Sequence, residues 1–151
     1  MMAHRISAGA LVLRDNKILL VRHFRPGIHD FWAPPGGGVE GEEELSTAAE
    51  RETFEETGLR VRAGAMAYID ELFDDRERMI KFWFLADYVS GELDITANPA
   101  AGESISEAGW FARDKLPKGH VFIGPADGQF WDDLKTGFPA PIKLPLRRLL
   151  F

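Results

Sequence analysis

Apolar residues near the start of the chain form two segments separated by a short polar pair. Residues 6–13 and 18–24 are mostly apolar, and Asp15 and Asn16 stand between them. Asp and Asn tolerate a positive φ angle, so this pair favours a tight turn between two antiparallel strands. Three later segments also have the apolar pattern of strands. They are residues 60–72, 78–90 and 105–111.

Two other segments have different patterns. Residues 25–38, RPGIHDFWAPPGGG, are rich in turn-forming residues and predict a loop. Residues 127–137, DGQFWDDLKTG, predict a short helix with Asp127 as its N-cap and Gly137 at its end. A longer helical pattern begins at Leu45. Strands that flank one strong central helix predict an α/β domain with a mixed sheet.

The central helix carries a stripe of residues that changes character half-way along. At helical spacing the stripe begins with small apolar residues and ends with three carboxylates: Leu45, Ala48, Ala49, Glu52, Glu55 and Glu56. A run of charge is most often a solvated helix face. Here, however, the apolar half directs the stripe inward, where neighbouring like charges repel and burial penalises each of them. The pattern therefore favours a bound counter-charge over a solvated face.

A hard divalent cation is the counter-charge that suits clustered carboxylates. The sequence has no cysteine, which excludes disulfides, thiolate nucleophiles and cysteine-based zinc sites. We therefore predict Mg²⁺ or Mn²⁺ as the cofactor. Gly58 predicts the end of the helix, so the carboxylates lie in its last turns, where the helix dipole does not stabilise them. The glycines at 36–38 allow the backbone to approach a ligand closely.

The overall charge bears on the partners of the protein. Acidic residues outnumber basic residues by 24 to 18, and the net charge is −6. This balance argues against binding to duplex nucleic acid, because that affinity depends on Lys and Arg contacts with phosphates. The apolar run at residues 6–13 is too short to span a bilayer and lacks a signal-peptide cleavage region. We expect a cytoplasmic protein with no membrane contact.

Residues 37–59 resemble the Nudix box, G-x5-E-x7-R-E-U-x-E-E-x-G-U, in which U is a bulky apolar residue. The matching positions are Gly37, Glu43, Arg51, Glu52, Glu55, Glu56, Gly58 and Leu59. Two positions depart from the family pattern: Thr53 replaces an apolar residue, and Glu42 stands where a glycine usually precedes the first glutamate. The segments FWAPPGGGVE and EAGWFARDKLP also resemble parts of the family, so the likeness extends to about Pro117.

Similarity to the Nudix hydrolases, which include the MutT-like proteins, implies a single domain over residues 1–151. The implied fold is an α/β/α sandwich with a mixed β-sheet and a central catalytic helix. The implied reaction is hydrolysis of a pyrophosphate bond in a nucleoside diphosphate derivative, a small nucleotide-type substrate. Arg51 is expected to orient the carboxylates of the helix, and Glu43 is expected either to build the loop or to stabilise the helix start.

The resemblance also implies which groups bind the metal ion. The implied ligands are the carbonyl oxygen of Gly37 and the carboxylates of Glu52, Glu55 and Glu56. One of these glutamates is also expected to accept the proton of the attacking water, and Glu52 is the first candidate. Helical carboxylates hold metal ions rigidly, which suits the neutralisation of a charged substrate and the activation of water.

Basic residues near the box are candidates for contact with the substrate phosphates. Arg22 is the first candidate, ahead of His23 and Arg25 in the same segment, and the alternatives are Arg76, Arg78 and Lys81. In the family, ADP-ribose hydrolases often have a Pro shortly after the box, and diadenosine polyphosphate hydrolases a Tyr. Residues 74–77 have neither, so elimination favours a nucleoside triphosphate pyrophosphohydrolase. The alternatives are an ADP-ribose or dinucleoside polyphosphate hydrolase and a nucleotide-binding module without catalytic activity.

Two further expectations concern the second half of the chain. A further acidic ligand is expected from a loop: Glu103 is preferred, and Glu107 is the alternative. Alternation along residues 105–111 would instead make Glu107 a structural acid between apolar neighbours. Residues 139–151, PAPIKLPLRRLLF, predict an extended edge segment because their prolines exclude a central strand. This segment is expected either to cover the core or to join a homodimer partner.

Overall fold

The computed structural model of the protein describes residues 1–96, 104–121 and 128–149. Its strands in chain order are β1 Ala3–Arg14, β2 Lys17–Arg25, β3 His29–Ala33, β4 Gly36–Gly38, β5 Arg60–Phe73, β6 Glu77–Ser90, β7 Ile105–Ala112, β8 His120–Val121, β9 Ile142–Lys143 and β10 Arg147–Arg148. The α-helices are α1 Leu45–Thr57 and α2 Gln129–Thr136. A short 3₁₀ turn, Arg113–Lys115, follows β7.

The strands of the described residues form one mixed sheet in the order β10-β5-β6-β1-β2-β3-β8. Strand β1 pairs in parallel with β6 and antiparallel with β2 and β4. Helix α1 packs on one face of the sheet, where Ala48 and Ala49 join a buried apolar cluster. Helix α2 packs on the other face, where Phe130 and Trp131 join a second cluster. The arrangement is the predicted α/β/α sandwich with a mixed sheet.

The predicted hairpin at the start of the chain is confirmed. Asp15 has a φ angle of 52° and Asn16 one of 59°, and the pairing of Leu13 with Ile18 continues from this turn. Two successive positive φ angles give the tight turn whose twist matches antiparallel strands. Side chains that tolerate this conformation therefore set the register of β1 against β2.

The prediction of a continuous loop over residues 25–38 is wrong, because this segment contains β3 and β4. Strand β3 pairs antiparallel with β2, and Gly27, with a φ angle of 75°, lies in the turn between them. Strand β4 consists of three glycines that pair with Ser7 to Gly9 of β1. Glycine has a weak strand propensity, so only the neighbouring strand makes this segment extended. Local sequence does not reveal such a partner.

The remaining element predictions agree with the structure. Strands β5, β6 and β7 cover the segments that were predicted as strands. Helix α2 ends at Gly137, which has a φ angle of 88°, as predicted. The N-cap of this helix is Gly128, so the prediction of Asp127 as N-cap is wrong; Asp127 itself lies outside the described residues. Within the described ranges, no helix is long and apolar enough to cross a membrane.

Residues 142–148 run along the outer edge of β5, as expected for an edge segment that covers the core. Strands β9 and β10 each pair in parallel with β5. The side chain of Leu144, between these short strands, is buried in the same cluster as Tyr68 and Phe130. This segment therefore protects an edge that would otherwise present unpaired backbone groups to solvent.

Candidate active site

Helix α1 is amphipathic in an unusual sense, because its buried side changes from apolar to acidic along its length. Ala48 and Ala49 are fully buried at the start of the helix. Glu52 is 5% exposed and Glu56 is 0% exposed near its end, while Glu55 is half-buried. The helix ends at Gly58, whose φ angle of 77° is the left-handed cap typical of glycine. The acidic residues thus lie at the buried C-terminal end of the helix.

Each of the buried glutamates has a different environment. Oε1 of Glu56 accepts a hydrogen bond of 2.8 Å from the backbone N–H of Gly36. Oε1 of Glu52 accepts one of 3.1 Å from Arg51, but its Oε2 is buried and has no hydrogen-bond partner among the described residues. Burial raises the pKa of the Glu52 carboxyl, and the Arg51 guanidinium opposes this rise. An ionised Glu52 therefore lacks part of the compensation that a buried charge requires.

Arg51 connects helix α1 to the segment that precedes it. Its Nη1 donates to Glu52 and to Glu55, each at 3.1 Å. Its Nη2 donates to the Gly38 carbonyl at 3.0 Å and to Oε1 of Glu43 at 2.7 Å. Hydrogen bonds from this guanidinium lower the pKa of the Glu43 carboxyl. These contacts bring three carboxylates to one guanidinium and tie Glu43 to the loop before the helix. Orientation of metal-binding carboxylates by Arg51 stays a prediction.

The glycine strand β4 lies directly against the end of the helix. A Cβ atom added to Gly37 would lie 2.5 Å from Cδ of Glu52, closer than any side chain tolerates. The carbonyl oxygen of Gly37 accepts a hydrogen bond of 2.7 Å from the hydroxyl of Ser7, which is buried. Ser7 was not predicted from the sequence, because only the pairing of β1 with β4 brings it to the site. Glycine at 37 is required for the close approach of backbone and carboxylate.

We predict that Gly37→Ala weakens the binding of a divalent metal about tenfold or more, the size of effect expected when a metal-ligating group is displaced. The added methyl would displace the Glu52 carboxylate. Titrating activity against Mg²⁺ measures the effect. Gly38→Ala is the matched control, since among the described residues a Cβ there would meet Arg5 alone, at 3.6 Å. Equal metal requirements in the two variants would contradict the assignment of Glu52 and Gly37.

Lys81 of β6 lies on the other side of the glycine strand from the helix. A Cβ atom added to Gly36 would be 3.1 Å from Cε of Lys81. Its ammonium group lies 4.3 Å from the centre of the Trp83 ring. Burial lowers the pKa of Lys81, while the carboxylates of Glu56, Asp70 and Glu52, in that order of strength, oppose the change. Lys81 thus lies near the acidic end of α1, whose carboxylates favour its ammonium form.

A small cavity opens on the same side of the glycine strand. It has a volume of about 140 Å³ and is mainly apolar. Its lining includes the stacked rings of His23 and Phe31, whose centres are 4.8 Å apart, and the side chain of Lys81. An apolar cavity with one cation at its edge suits a flat ring joined to an anionic group.

Arg22, predicted to bind substrate, has its described partners away from this cavity. Its guanidinium forms ion pairs of 2.8 Å with Asp30 and 2.7 Å with Glu107. It lines a different cavity, together with Trp32 and His120. Hydrogen bonds to Asp30 and Glu107 raise the pKa of the guanidinium further above its usual value. Binding of substrate by Arg22 stays a prediction, and these carboxylates would compete with any phosphate.

Of the two candidates for an additional acidic ligand, the structure describes Glu107. Glu103 lies outside the described residues. Glu107 lies on β7, where it is exposed and paired with Arg22 rather than packed between apolar neighbours. A β-bulge between Arg22 and His23 shifts the register of β7 against β2, which changes the expected alternation at this point.

The residues present suit a hard divalent cation, although no three acidic or histidine side chains in the described ranges form a ready-made cage. Glu52, Glu55 and Glu56 share one side of the last turns of α1, and oxygen donors are the ligands that such ions prefer. Oε2 of Glu52 is buried without a described hydrogen-bond partner, and a bound cation could take the place of that partner. In this structure the Arg51 guanidinium donates hydrogen bonds to both the Glu52 and the Glu55 carboxylates.

A model of the NUDIX domain family matches residues 3–128, and the chain therefore belongs to this family. The ADP-ribose pyrophosphatase of Methanocaldococcus jannaschii is 34% identical over 115 residues, which cover 75% of this chain and 64% of that protein. The NAD-capped RNA hydrolase NudC of Chromobacterium violaceum is 37% identical over 117 residues, which cover 75% of this chain and 40% of that protein. The chain spans less than two thirds of the length of each relative.

Solved structures agree with this assignment. A MutT NUDIX hydrolase from Burkholderia pseudomallei has a TM-score of 0.67 and 30% sequence identity, over 79% of this chain and 91% of that chain. A NUDIX hydrolase from Nitrosomonas europaea has a TM-score of 0.76 over 97% of this chain and 81% of that chain. Its identity of 20% bears on the fold alone. The predictions of family and fold class are confirmed.

Proposed function

We propose that the protein is a divalent-metal-dependent hydrolase that cleaves the pyrophosphate bond of a nucleoside diphosphate derivative. The observation that carries this proposal is the buried acidic end of α1, where Oε2 of Glu52 has no described hydrogen-bond partner beside the Gly37 backbone. A structural helix would gain stability by replacing such a carboxylate with a neutral residue. A role in chemistry accounts for a carboxylate at this position.

The residues have distinct roles in this proposal. The ligands of Mg²⁺ or Mn²⁺ are the Gly37 carbonyl and the carboxylates of Glu52, Glu55 and Glu56. When bound, the metal would neutralise phosphate charge and favour the ionised form of water. Arg51 fixes the directions of the Glu52 and Glu55 carboxylates.

Glu52 is the proposed general base of this group. Burial raises the pKa of its carboxyl, and a base of higher proton affinity accepts the proton of water more readily. Its second oxygen, Oε2, has no described partner, so this atom is open either to the metal ion or to the attacking water.

The first substrates to test are ADP-ribose and NAD-type dinucleotides. In both, a diphosphate joins adenosine to a second group, and relatives at 34% and 37% identity carry names that refer to ADP-ribose and to NAD. We propose that the phosphates contact Lys81, because its ammonium lies beside the glutamates and at the edge of the apolar cavity. Cleavage of a nucleoside triphosphate, predicted from the missing Pro and Tyr, is the second candidate.

A substrate panel tests this proposal. We expect Mg²⁺-dependent hydrolysis of ADP-ribose to AMP and ribose 5-phosphate, and of NADH to two monophosphates, with lower kcat/KM for nucleoside triphosphates and diadenosine polyphosphates. Chromatography of the products identifies the bond that is cleaved. A preference for triphosphates, with release of pyrophosphate, would instead support the second candidate. Tight nucleotide binding in calorimetry without any product would indicate a binding module and would contradict the proposed activity.

We also propose the domain extent, the cellular location and the oligomeric state of the protein. The protein functions as one Nudix domain over residues 1–151, it is cytoplasmic, and it forms a homodimer. Light scattering on the full chain measures the last of these directly. A truncation after Gly137 shows whether the edge segment takes part in the association, because that segment follows α2 and pairs with β5.

A further inference from the structure

The last described residues of the chain approach the candidate active site from the far edge of the sheet. The tail segment, residues 142–149, pairs with β5 through β9 and β10. The backbone N–H of Leu149 donates to the Phe73 carbonyl at 2.8 Å. The side chain of Leu149 lines the same apolar cavity as Lys81 and Phe31. The tail segment therefore forms one wall of the proposed substrate pocket.

The tail segment also contacts a buried carboxylate of β5. Asp70 of β5 is 0% exposed, and its Oδ2 accepts a hydrogen bond of 2.8 Å from Nη2 of Arg147 in the tail segment. Its Oδ1 is buried and has no hydrogen-bond partner among the residues described. A buried carboxylate with an unsatisfied oxygen strongly attracts any cation nearby. The neighbouring strand provides such a cation in Lys81, which interacts electrostatically with Asp70.

Lys81 lies directly opposite Asp70 in the antiparallel pairing of β5 with β6. Opposite residues of such a pair point to the same face of the sheet. The ammonium of Lys81 is therefore attracted in two directions, towards Asp70 and towards the acidic end of α1 with Glu52 and Glu56. How strongly Asp70 attracts it depends on how much of the Asp70 charge is already neutralised by Arg147.

We propose that Arg147 is a positioning residue for substrate binding. By neutralising Asp70, it leaves the ammonium of Lys81 available to a phosphate group of the substrate, at the edge of the cavity that Leu149 closes. This inference rests on the proposed function, in which Lys81 contacts the diphosphate. It assigns to the tail segment a part in recognition of the anionic substrate that its edge position alone does not explain.

Calorimetric titration with Mg²⁺-pyrophosphate tests the proposal without requiring turnover. Arg147→Met should weaken pyrophosphate binding about fivefold to tenfold, because Asp70 then competes for Lys81. Arg148→Met is the matched control: Arg148 is the next residue, and its ion pair of 3.0 Å is with the exposed Asp75. The control should change the affinity by less than about twofold. Equal effects in the two variants would overturn the proposal.

A double-mutant cycle separates positioning from a structural role. In protein that already carries Lys81→Met, Arg147→Met should have no further effect on pyrophosphate binding. Additive losses would show that Arg147 acts without Lys81. With a cleaved substrate, Arg147→Met should raise KM and leave kcat within about twofold, since the metal-binding glutamates are unchanged. A fall in kcat with unchanged KM would overturn the proposal.

Further variants keep the test decisive if Arg147→Met does not fold. Asp70→Asn should leave pyrophosphate binding as tight as in the wild type or tighter, since it removes the competing charge. Arg147→Lys should retain most of the affinity because it retains the positive charge. Weaker binding in Asp70→Asn would overturn the proposal. If no panel substrate is cleaved but the cycle shows coupling, the proposed activity fails while the positioning role of Arg147 stands.

Discussion

Glu55→Gln and Glu56→Gln should each lower kcat by on the order of 10² or more, while the fold survives. Glutamine has nearly the shape of glutamate, and its amide oxygen can still accept the hydrogen bond from the Gly36 N–H. The second carboxylate oxygen is replaced by the amide nitrogen of glutamine. This nitrogen directs hydrogens, not an electron pair, towards a cation. Steady-state kinetics at saturating Mg²⁺, together with circular dichroism, separate loss of chemistry from loss of structure.

Glu42→Gln is the matched control for these two variants. It makes the same chemical change at an exposed position before the helix. Its kcat should stay within about twofold of the wild-type value, as for most surface substitutions. Near-wild-type turnover in Glu55→Gln or Glu56→Gln would remove that residue from the proposed metal site.

Chelation of divalent metal by EDTA should abolish hydrolysis, and Mg²⁺ or Mn²⁺ should restore it. The same metal should stabilise the folded protein by about 2.7 kcal/mol at a free concentration of about 100 times Kd, because it binds only the folded site. Differential scanning fluorimetry with and without Mg²⁺ measures this as a rise in Tm. Activity that survives exhaustive chelation would contradict metal dependence.

Glu52→Gln should stabilise the metal-free protein and reduce its stabilisation by Mg²⁺, which tests the electrostatics of the site. Burial raises the pKa of the Glu52 carboxyl, so ionisation of this group costs stability at pH values above its unfolded pKa. Without metal, the variant should therefore have a higher Tm than the wild type at neutral pH. This difference should shrink as the pH falls towards the unfolded pKa of the carboxyl. Added Mg²⁺ should raise the Tm of the variant much less than that of the wild type.

Part of the site was predictable because it is local. The direction of Arg51 towards Glu55 follows from their spacing of four residues on a helix, and the ion pair of 3.1 Å confirms that they are neighbours. The partner of the Arg22 guanidinium was not predictable in this way. It pairs with Glu107, 85 residues later, because β2 and β7 are adjacent in the sheet. Lys81 was one of several basic candidates until the pairing of β6 with β1, next to the glycine strand β4, placed it near the acidic end of α1.

The sequence by itself determined the Asp15–Asn16 hairpin, helix α1 with its acidic C-terminal half, and the cap at Gly58. These features depend on φ preferences and on spacing within a few residues, so a single chain segment specifies them. Tertiary structure decided which distant groups meet: Ser7 with the Gly37 carbonyl, 30 residues away, and Arg147 with Asp70, 77 residues away. Strand pairing makes these contacts, and it joins residues whose separation along the chain carries no periodic signal.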